Sequence, residues 1–194
     1  DLSKPIYELG ITGVFTKEID VALINKEVDI AVHSLKDVPT VLPKGVIQSA
    51  VLKRGTEKDI LIINKELQES NNTIATGSLR RKAQWLNKYK SDNIIPIRGN
   101  VVTRLKKLKE SNWTGTIMAK AGLERLNLIP VNYMDLDWMI PAPGQGAISI
   151  QNLAENDLIT EITKKINHCE TEMCTNIERA FLNKLEGGCT APIG

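Results

Sequence analysis

Short apolar or β-branched runs alternate with stretches of helical periodicity along this chain. The runs with strand character lie at 28–33, 46–52, 60–63, 73–76, 94–97, 116–119 and 147–150. The helical patterns lie at 16–26, 79–89, 101–110 and 120–126. This alternation is typical of an α/β fold and predicts mainly parallel sheets with helices on their faces. Ligands in such folds bind beyond the carboxyl ends of strands, where we expect the loops 34–39, 77–81 and 98–104 to converge.

Two amphipathic stripes follow in the last part of the chain. Their apolar side chains are Leu158, Ile159, Ile162 and Ile166, then Met173, Ile177, Phe181 and Leu185. Their spacing predicts two helices, and we expect the stripes to pack into the core rather than to bind a cofactor.

Arginines occupy the first turn of a helix at two predicted strand-to-helix junctions. One junction reads Ser78-Leu79-Arg80-Arg81, and the other runs from Arg98 to Arg104. Unpaired N–H groups and the positive end of the helix dipole make a cation there unfavourable by roughly 0.3–1 kcal/mol. A bound carboxylate or phosphate would reverse this effect, so the junctions predict an anion site rather than solvated arginines.

Composition narrows the classes of protein. The 25 Lys and Arg nearly balance the 23 Asp and Glu, so the net charge of +2 gives no argument for nucleic acid. No apolar run reaches the ~18 residues of a membrane span. Three Cys without scaffold spacing indicate reduced thiols in a cytosol-like compartment, and two His without Cys-x-x-Cys argue against zinc. The chain starts at Asp1, and we expect it to be a piece of a longer protein.

A few single residues are candidates for chemistry. Lys36-Asp37 lies at a strand end, where an ionised carboxylate can hold a proton or stabilise positive charge, although Lys-Asp in a loop is more often a solvated turn. We interpret His33 as a hydrogen-bonded core histidine. Gly144-Gln145-Gly146 follows two prolines and indicates a hinge or domain crossover with the amide facing a cleft.

The three cysteines differ in their surroundings. Gly187-Gly188 can end a helix and present Cys189 on a turn, where a thiol can be a covalent attachment point. An isolated Cys is more often a small buried residue. Cys169 and Cys174 have no base or partner pattern, and we predict that they are inert.

Eight segments together resemble the porphobilinogen deaminase (hydroxymethylbilane synthase) family, in its order and spacing. They are Gly13–Glu18, Asp29–Pro39, Thr76–Arg81, Arg98–Val101, Thr103–Leu105, Ala121–Leu126, Pro141–Ala147 and Leu185–Cys189. The resemblance implies a transferase of tetrapyrrole (haem) biosynthesis that joins four porphobilinogen molecules into hydroxymethylbilane and releases ammonia. We expect a cytoplasmic monomer that acts on this small molecule, with no nucleic acid, membrane or metal partner.

The resemblance also implies roles for individual residues. Asp37 matches the catalytic acid, and Cys189 matches the thiol that carries a dipyrromethane cofactor through a thioether. The residues implied to bind the cofactor are Lys36, Asp37, Ser78, Arg80, Arg81, Arg104 and Cys189. Those implied to bind the substrate are Phe15, Arg98, Arg125 and Gln145. Arginine suits carboxylate-rich pyrroles because its planar fork pairs a carboxylate bidentately and stays charged.

The implied architecture is two periplasmic-binding-protein-like α/β lobes with a cleft between them, plus the start of a third α/β domain. Lobe one would comprise 1–52 and 147–168, lobe two 53–146, and the third, cofactor-bearing domain 169–194. The family's first strand and helix, with an Arg and a Ser, have no counterpart here, so lobe one is incomplete. Glu8 and Thr12 stand in a lid that often carries Lys in relatives.

These departures lead us to expect that the stretch alone is not a competent enzyme. The alternative from another class is a non-catalytic two-lobed binding module for small carboxylates. It would need the arginines, but neither Asp37 nor a modified Cys189.

Overall fold

A computed structural model describes residues 16–64, 71–185 and 193–194 of the chain. Its strands are β1 (Ala31–Ser34), β2 (Val46–Val51), β3 (Asp59–Ile63), β4 (Thr73–Ala75), β5 (Asn93–Ile95), β6 (Gly115–Ala119), β7 (Tyr133–Asp135) and β8 (Ile148–Leu153). Its helices are α1 (Lys17–Ile24), α2 (Leu79–Lys88), α3 (Val101–Lys109), α4 (Lys120–Arg125), α5 (Asp157–Lys164) and α6 (Cys169–Lys184). A 3₁₀ turn at Leu35–Asp37 follows β1. The predicted helices and strands are confirmed within a few residues, and only β7 has no counterpart among them.

The chain divides into two compact units. The central unit is described over 56–64, 71–142 and 193–194, and the flanking unit over 16–55 and 143–185. Helix α6 lies in the flanking unit. The assignment of 169–194 to a third domain, and the exact lobe boundaries, stay predictions.

The sheet of the flanking unit has the strand order β1-β8-β2, with both pairings antiparallel. Its register places Ala31 opposite Gln151 and His33 opposite Ser149, so these residues share a face. Helix α1 turns Leu23 onto this sheet, where it packs against Ala31 and Val46. The strands β1 and β8 therefore fix where the 3₁₀ turn after Ser34 begins.

The sheet of the central unit has the order β5-β4-β6-β3-β7. Strand β3 is buried on both faces, because successive side chains of a strand point in opposite directions. Leu61 packs with Trp85 of α2 on one face, and Ile60 packs with Leu123 of α4 on the other. This packing holds α2 and α4 against the sheet.

The expectation of mainly parallel sheets is wrong for the described residues. Only β4-β5 and β4-β6 are parallel, whereas β1-β8, β2-β8, β3-β6 and β3-β7 are antiparallel. Helices α2 and α3 connect the parallel strands, as a crossover requires. The apolar pattern of a strand does not encode its direction, which explains the error.

The expectation that the two late stripes pack into the core is also wrong within the described part of the chain. Leu158 is 67% exposed, Met173 65% and Phe181 61%. The buried residues of α5 and α6 are instead threonines: Thr163, Thr171 and Thr175. Helical periodicity shows which residues share a face, but not which face is covered.

No helix of the described ranges is long and apolar enough to cross a bilayer.

Candidate functional site

The 3₁₀ turn after β1 carries Lys36 and Asp37 between two buried anchors. Leu35 is fully buried, and its N–H donates to the carbonyl of Ala147 at 3.0 Å. Val38 is buried too, and its N–H donates to the carbonyl of Leu35 at 3.2 Å. Lys36 and Asp37 are half-buried. The turn thus presents an ammonium and a carboxylate on a short, anchored piece of backbone.

Gln145 is the residue that the structure brings to this turn. Its side chain is buried, and its Oε1 accepts a hydrogen bond from Lys36 Nζ at 3.3 Å. The glycines on either side have positive φ angles, +73° at Gly144 and +88° at Gly146. A Cβ on Gly144 would lie 3.0 Å from Leu35 Cγ. Both the backbone conformation and the close approach therefore require glycine at Gly144.

An ion pair holds the backbone around Gln145. The Arg54 guanidinium pairs with both carboxylate oxygens of Glu178, at 2.5 and 3.1 Å, and its Nε donates to the Gln145 carbonyl at 2.9 Å. Glu178 also accepts the N–H of Gly144 at 2.8 Å. No sequence pattern predicts this pair, because its members lie 124 residues apart.

The central unit holds the Ser78-Leu79-Arg80-Arg81 junction. Ser78 is the N-cap of α2, and its hydroxyl accepts the N–H of Arg81 at 3.4 Å. Arg80 is 4% exposed and Arg81 6%, so the alternative of solvated arginines is wrong. The prediction that an external anion binds at this junction stays a prediction.

An internal carboxylate pairs with both arginines. Asp59, fully buried at the start of β3, accepts from Arg80 Nη2 at 2.7 Å and from Arg81 Nη2 at 2.7 Å. The Nη1 groups donate to backbone carbonyls, that of Arg80 to Ile140 and that of Arg81 to Ile117. Two guanidiniums and one carboxylate leave one net positive charge in this buried group.

The pKa values of this group follow from burial and charge. Burial alone would raise the pKa of Asp59. The charges of Arg81 and Arg80 and their hydrogen bonds lower this pKa by more than burial raises it, so it lies below its usual value. Burial lowers the pKa of Arg80, and the Asp59 charge partly offsets this. An arginine starts from so high a pKa that it remains ionised at neutral pH. The sequence feature that could have identified Asp59 is its position: it is an acidic residue at the start of a strand whose other residues are all apolar.

The second junction leads into α3. Asn100 caps this helix, accepting the N–H of Thr103 at 2.8 Å. Arg104 Nε donates to the Gly99 carbonyl at 2.7 Å, and Lys107 Nζ donates to the Arg98 carbonyl at 3.0 Å. Arg98 and Arg104 therefore belong to one junction of the central unit.

The remaining predicted residues fall elsewhere. Arg125 is exposed as the last residue of α4. Phe15 and Cys189 lie outside the described residues. His33 is buried as predicted, but its Nε2 has no hydrogen-bond partner in the part of the chain that is described. No group of His, Cys, Asp and Glu within the described ranges is arranged to hold a metal ion. Cys169 and Cys174 are free and exposed.

Comparison with known proteins assigns the chain to a class. Residues 1–161 match the family model described as porphobilinogen deaminase, dipyromethane cofactor binding domain. The porphobilinogen deaminase of Campylobacter hominis is 45% identical over 100% of this chain and 65% of its own length. The chloroplastic enzyme of Oryza sativa subsp. japonica is 42% identical over 99% of this chain and 55% of its own length. These matches define a cofactor-binding α/β protein.

The chain belongs to the porphobilinogen deaminase family, and the predicted resemblance and α/β class are confirmed. It spans less than two thirds of the length of these relatives. Among solved structures, it is similar to the periplasmic VFT2 domain of Bordetella pertussis BvgS, with a TM-score of 0.43 and 11% identity over 88% of this chain and 72% of that one. It is also similar to an arginine-transport periplasmic binding protein of Legionella pneumophila, with a TM-score of 0.40 and 14% identity over 85% and 75%.

Proposed function

We propose that this protein is a transferase that joins four porphobilinogen molecules into hydroxymethylbilane and releases ammonia. The identity of 45% to a porphobilinogen deaminase over the whole chain carries the proposal. The anchored Lys36-Asp37 turn, with Gln145 against Lys36, supports it in the flanking unit.

Asp37 is the proposed catalytic residue. As a carboxylate, Asp37 could accept hydrogen bonds from pyrrole N–H groups and stabilise the cation left when ammonia departs. It can also take up and return the proton exchanged during carbon–carbon bond formation. The short 3₁₀ turn limits the movement of the backbone that carries this carboxylate. Electrostatic stabilisation requires such a fixed position.

The cofactor of the family is dipyrromethane, and the charges of this chain fit a carboxylate-rich pyrrole pair. The Asp59-Arg80-Arg81 group keeps one net positive charge, and Lys36 and Arg104 are half-buried cations. We propose that the cofactor is held by Lys36, Asp37, Ser78, Arg80, Arg81 and Arg104, with a thioether to Cys189. When bound, it supplies the pyrrole carbon from which the product grows.

The proposed substrate contacts are Phe15, Arg98, Arg125 and Gln145. The arginines would pair the acetate and propionate groups of incoming porphobilinogen, because a guanidinium fork matches a carboxylate. Gln145 would also orient Lys36, because its Oε1 accepts a hydrogen bond from the Lys36 ammonium.

We extend the proposal to the protein's setting. The near-balance of charge supports a small-molecule partner rather than nucleic acid, and the cysteine usage supports a reducing, cytoplasmic location. Membership of the porphobilinogen deaminase family supports a role in haem formation. A monomer with two lobes and a third, cofactor-bearing domain completes the proposal.

Intact mass tests the proposed function directly. We expect the full-length wild-type protein, produced in cells that supply porphobilinogen, to carry a covalent adduct of two pyrrole units. The adduct should persist in Cys174→Ser, the matched control, and disappear in Cys189→Ser. An unmodified wild-type chain that binds only small carboxylates reversibly would instead favour the non-catalytic binding module.

A further inference from the structure

Arg179 on α6 binds the backbone of the turn that carries Lys36 and Asp37. Its Nη1 donates to the carbonyls of Leu35 at 3.3 Å and Val38 at 2.9 Å, and its Nη2 donates to the carbonyl of Pro39 at 2.6 Å. These three acceptors flank the Lys36-Asp37 pair on both sides. One side chain therefore holds both ends of the turn, from more than 140 residues further along the chain.

Arg179 adds charged donors to a short segment that ends at a proline. Pro39 has no N–H, so the chain cannot continue as a paired strand at this point. The 3₁₀ turn has only three residues, from Leu35 to Asp37. Hydrogen bonds from a charged donor are roughly twice as strong as neutral ones. The Arg179 guanidinium thus gives this segment three charge-assisted hydrogen bonds.

The preceding residue of α6, Glu178, contacts the segment around Gln145. Glu178 accepts the N–H of Gly144 and pairs with Arg54, which in turn donates to the Gln145 carbonyl. Gln145 contacts Lys36. Consecutive residues of one helix therefore hold the turn itself and the segment that packs against it.

We propose that Arg179 is a positioning residue, which fixes the backbone of residues 35–39 and through it the place of the Asp37 carboxylate. The consequence for turnover rests on the proposed function, whereas the effect on the backbone does not. Because a guanidinium is planar and forked, a lysine at this position would not reach all three carbonyls at once.

Amide hydrogen exchange of the whole chain tests the backbone claim. In Arg179→Met, we expect the Leu35 and Val38 amides to exchange roughly tenfold faster, because the turn opens locally. The β8 amides should keep their wild-type rates. Lys184→Met is the matched control, since it removes the same charge from an exposed position of the same helix, and it should change neither group.

Two results would overturn the inference: unchanged exchange at Leu35 and Val38, or an equal acceleration in β8, which would indicate general destabilisation. If Arg179→Met does not fold, Arg179→Lys decides by the same two comparisons. Where wild type consumes porphobilinogen, Arg179→Met should lower kcat with little change in KM, and Arg179→Lys should recover part of it. A full-length wild-type protein without turnover or adduct would contradict the proposed function, while the exchange rates still decide the role of Arg179.

Discussion

Asp59 Oδ1 accepts two hydrogen bonds from Arg81, from Nε at 3.1 Å and from Nη2 at 2.7 Å, in the buried interior of the central unit. The second carboxylate oxygen of Asp59 binds Arg80. The two arginines at the start of α2 are thus oriented by a carboxylate of the chain itself. Any external carboxylate that binds at this junction meets a rigid group with one net positive charge.

We predict that Asp59→Asn destabilises the fold by about 3–5 kcal/mol, because it removes the carboxylate that pairs with both buried guanidiniums. Urea unfolding measures the change. Asp137→Asn is the control, since Asp137 pairs with Lys58 at an exposed position, where such pairs contribute about 0–1 kcal/mol. Similar small effects for both variants would show that the Asp59 pairs are not needed.

The stabilising contribution of Asp59 should depend on pH in one direction. Its pKa in the folded state is lowered from 3.8, so the unfolded chain binds the proton more readily. The contribution is therefore fully present above the unfolded pKa and is lost as the pH falls through the folded one. The difference in unfolding free energy between wild type and Asp59→Asn should be constant from neutral pH down to about pH 5 and shrink below about pH 4. A difference that already vanishes between pH 7 and 5 would contradict this account.

Two glycines offer a matched pair for the geometry around Gln145. Gly144→Ala should cost about 1–2 kcal/mol, because φ is +73° and the new Cβ meets Leu35. Gly122→Ala lies inside α4 with open space at the Cβ, and it should stabilise by about 0.5–1 kcal/mol. Thermal or urea unfolding distinguishes them. Stabilisation by both substitutions would mean that the Gly144 turn tolerates a side chain.

Local sequence patterns predicted the helices and strands better than they predicted which strands and side chains contact each other. The periodicity around α2 and α3 located both helices and placed arginines in their first turns, because spacing and capping are properties of a few neighbouring residues. Strand direction was not predictable in this way, and β3 proved antiparallel to both of its neighbours. The carboxylate that faces Arg80 and Arg81 lies 21 and 22 residues away, in another element.

The same limit applies to the flanking unit. The sequence identified Lys36, Asp37 and Gln145 as candidates from their loops and glycines, and the structure places Gln145 on Lys36. No sequence pattern indicated that Glu178 and Arg179 would hold these segments. Their helix was recognised from its apolar stripe, yet that stripe is exposed, and the polar residues between its members make the contacts.

The central claim is that Asp37 drives the growth of a pyrrole chain on this protein. The most direct measurement is the intact mass of the full-length protein, as wild type and as Asp37→Asn, after incubation with porphobilinogen. We predict successive pyrrole additions on wild type, and on Asp37→Asn a retained cofactor with additions slowed roughly 10²–10⁴-fold. Additions to Asp37→Asn at the wild-type rate would contradict the account.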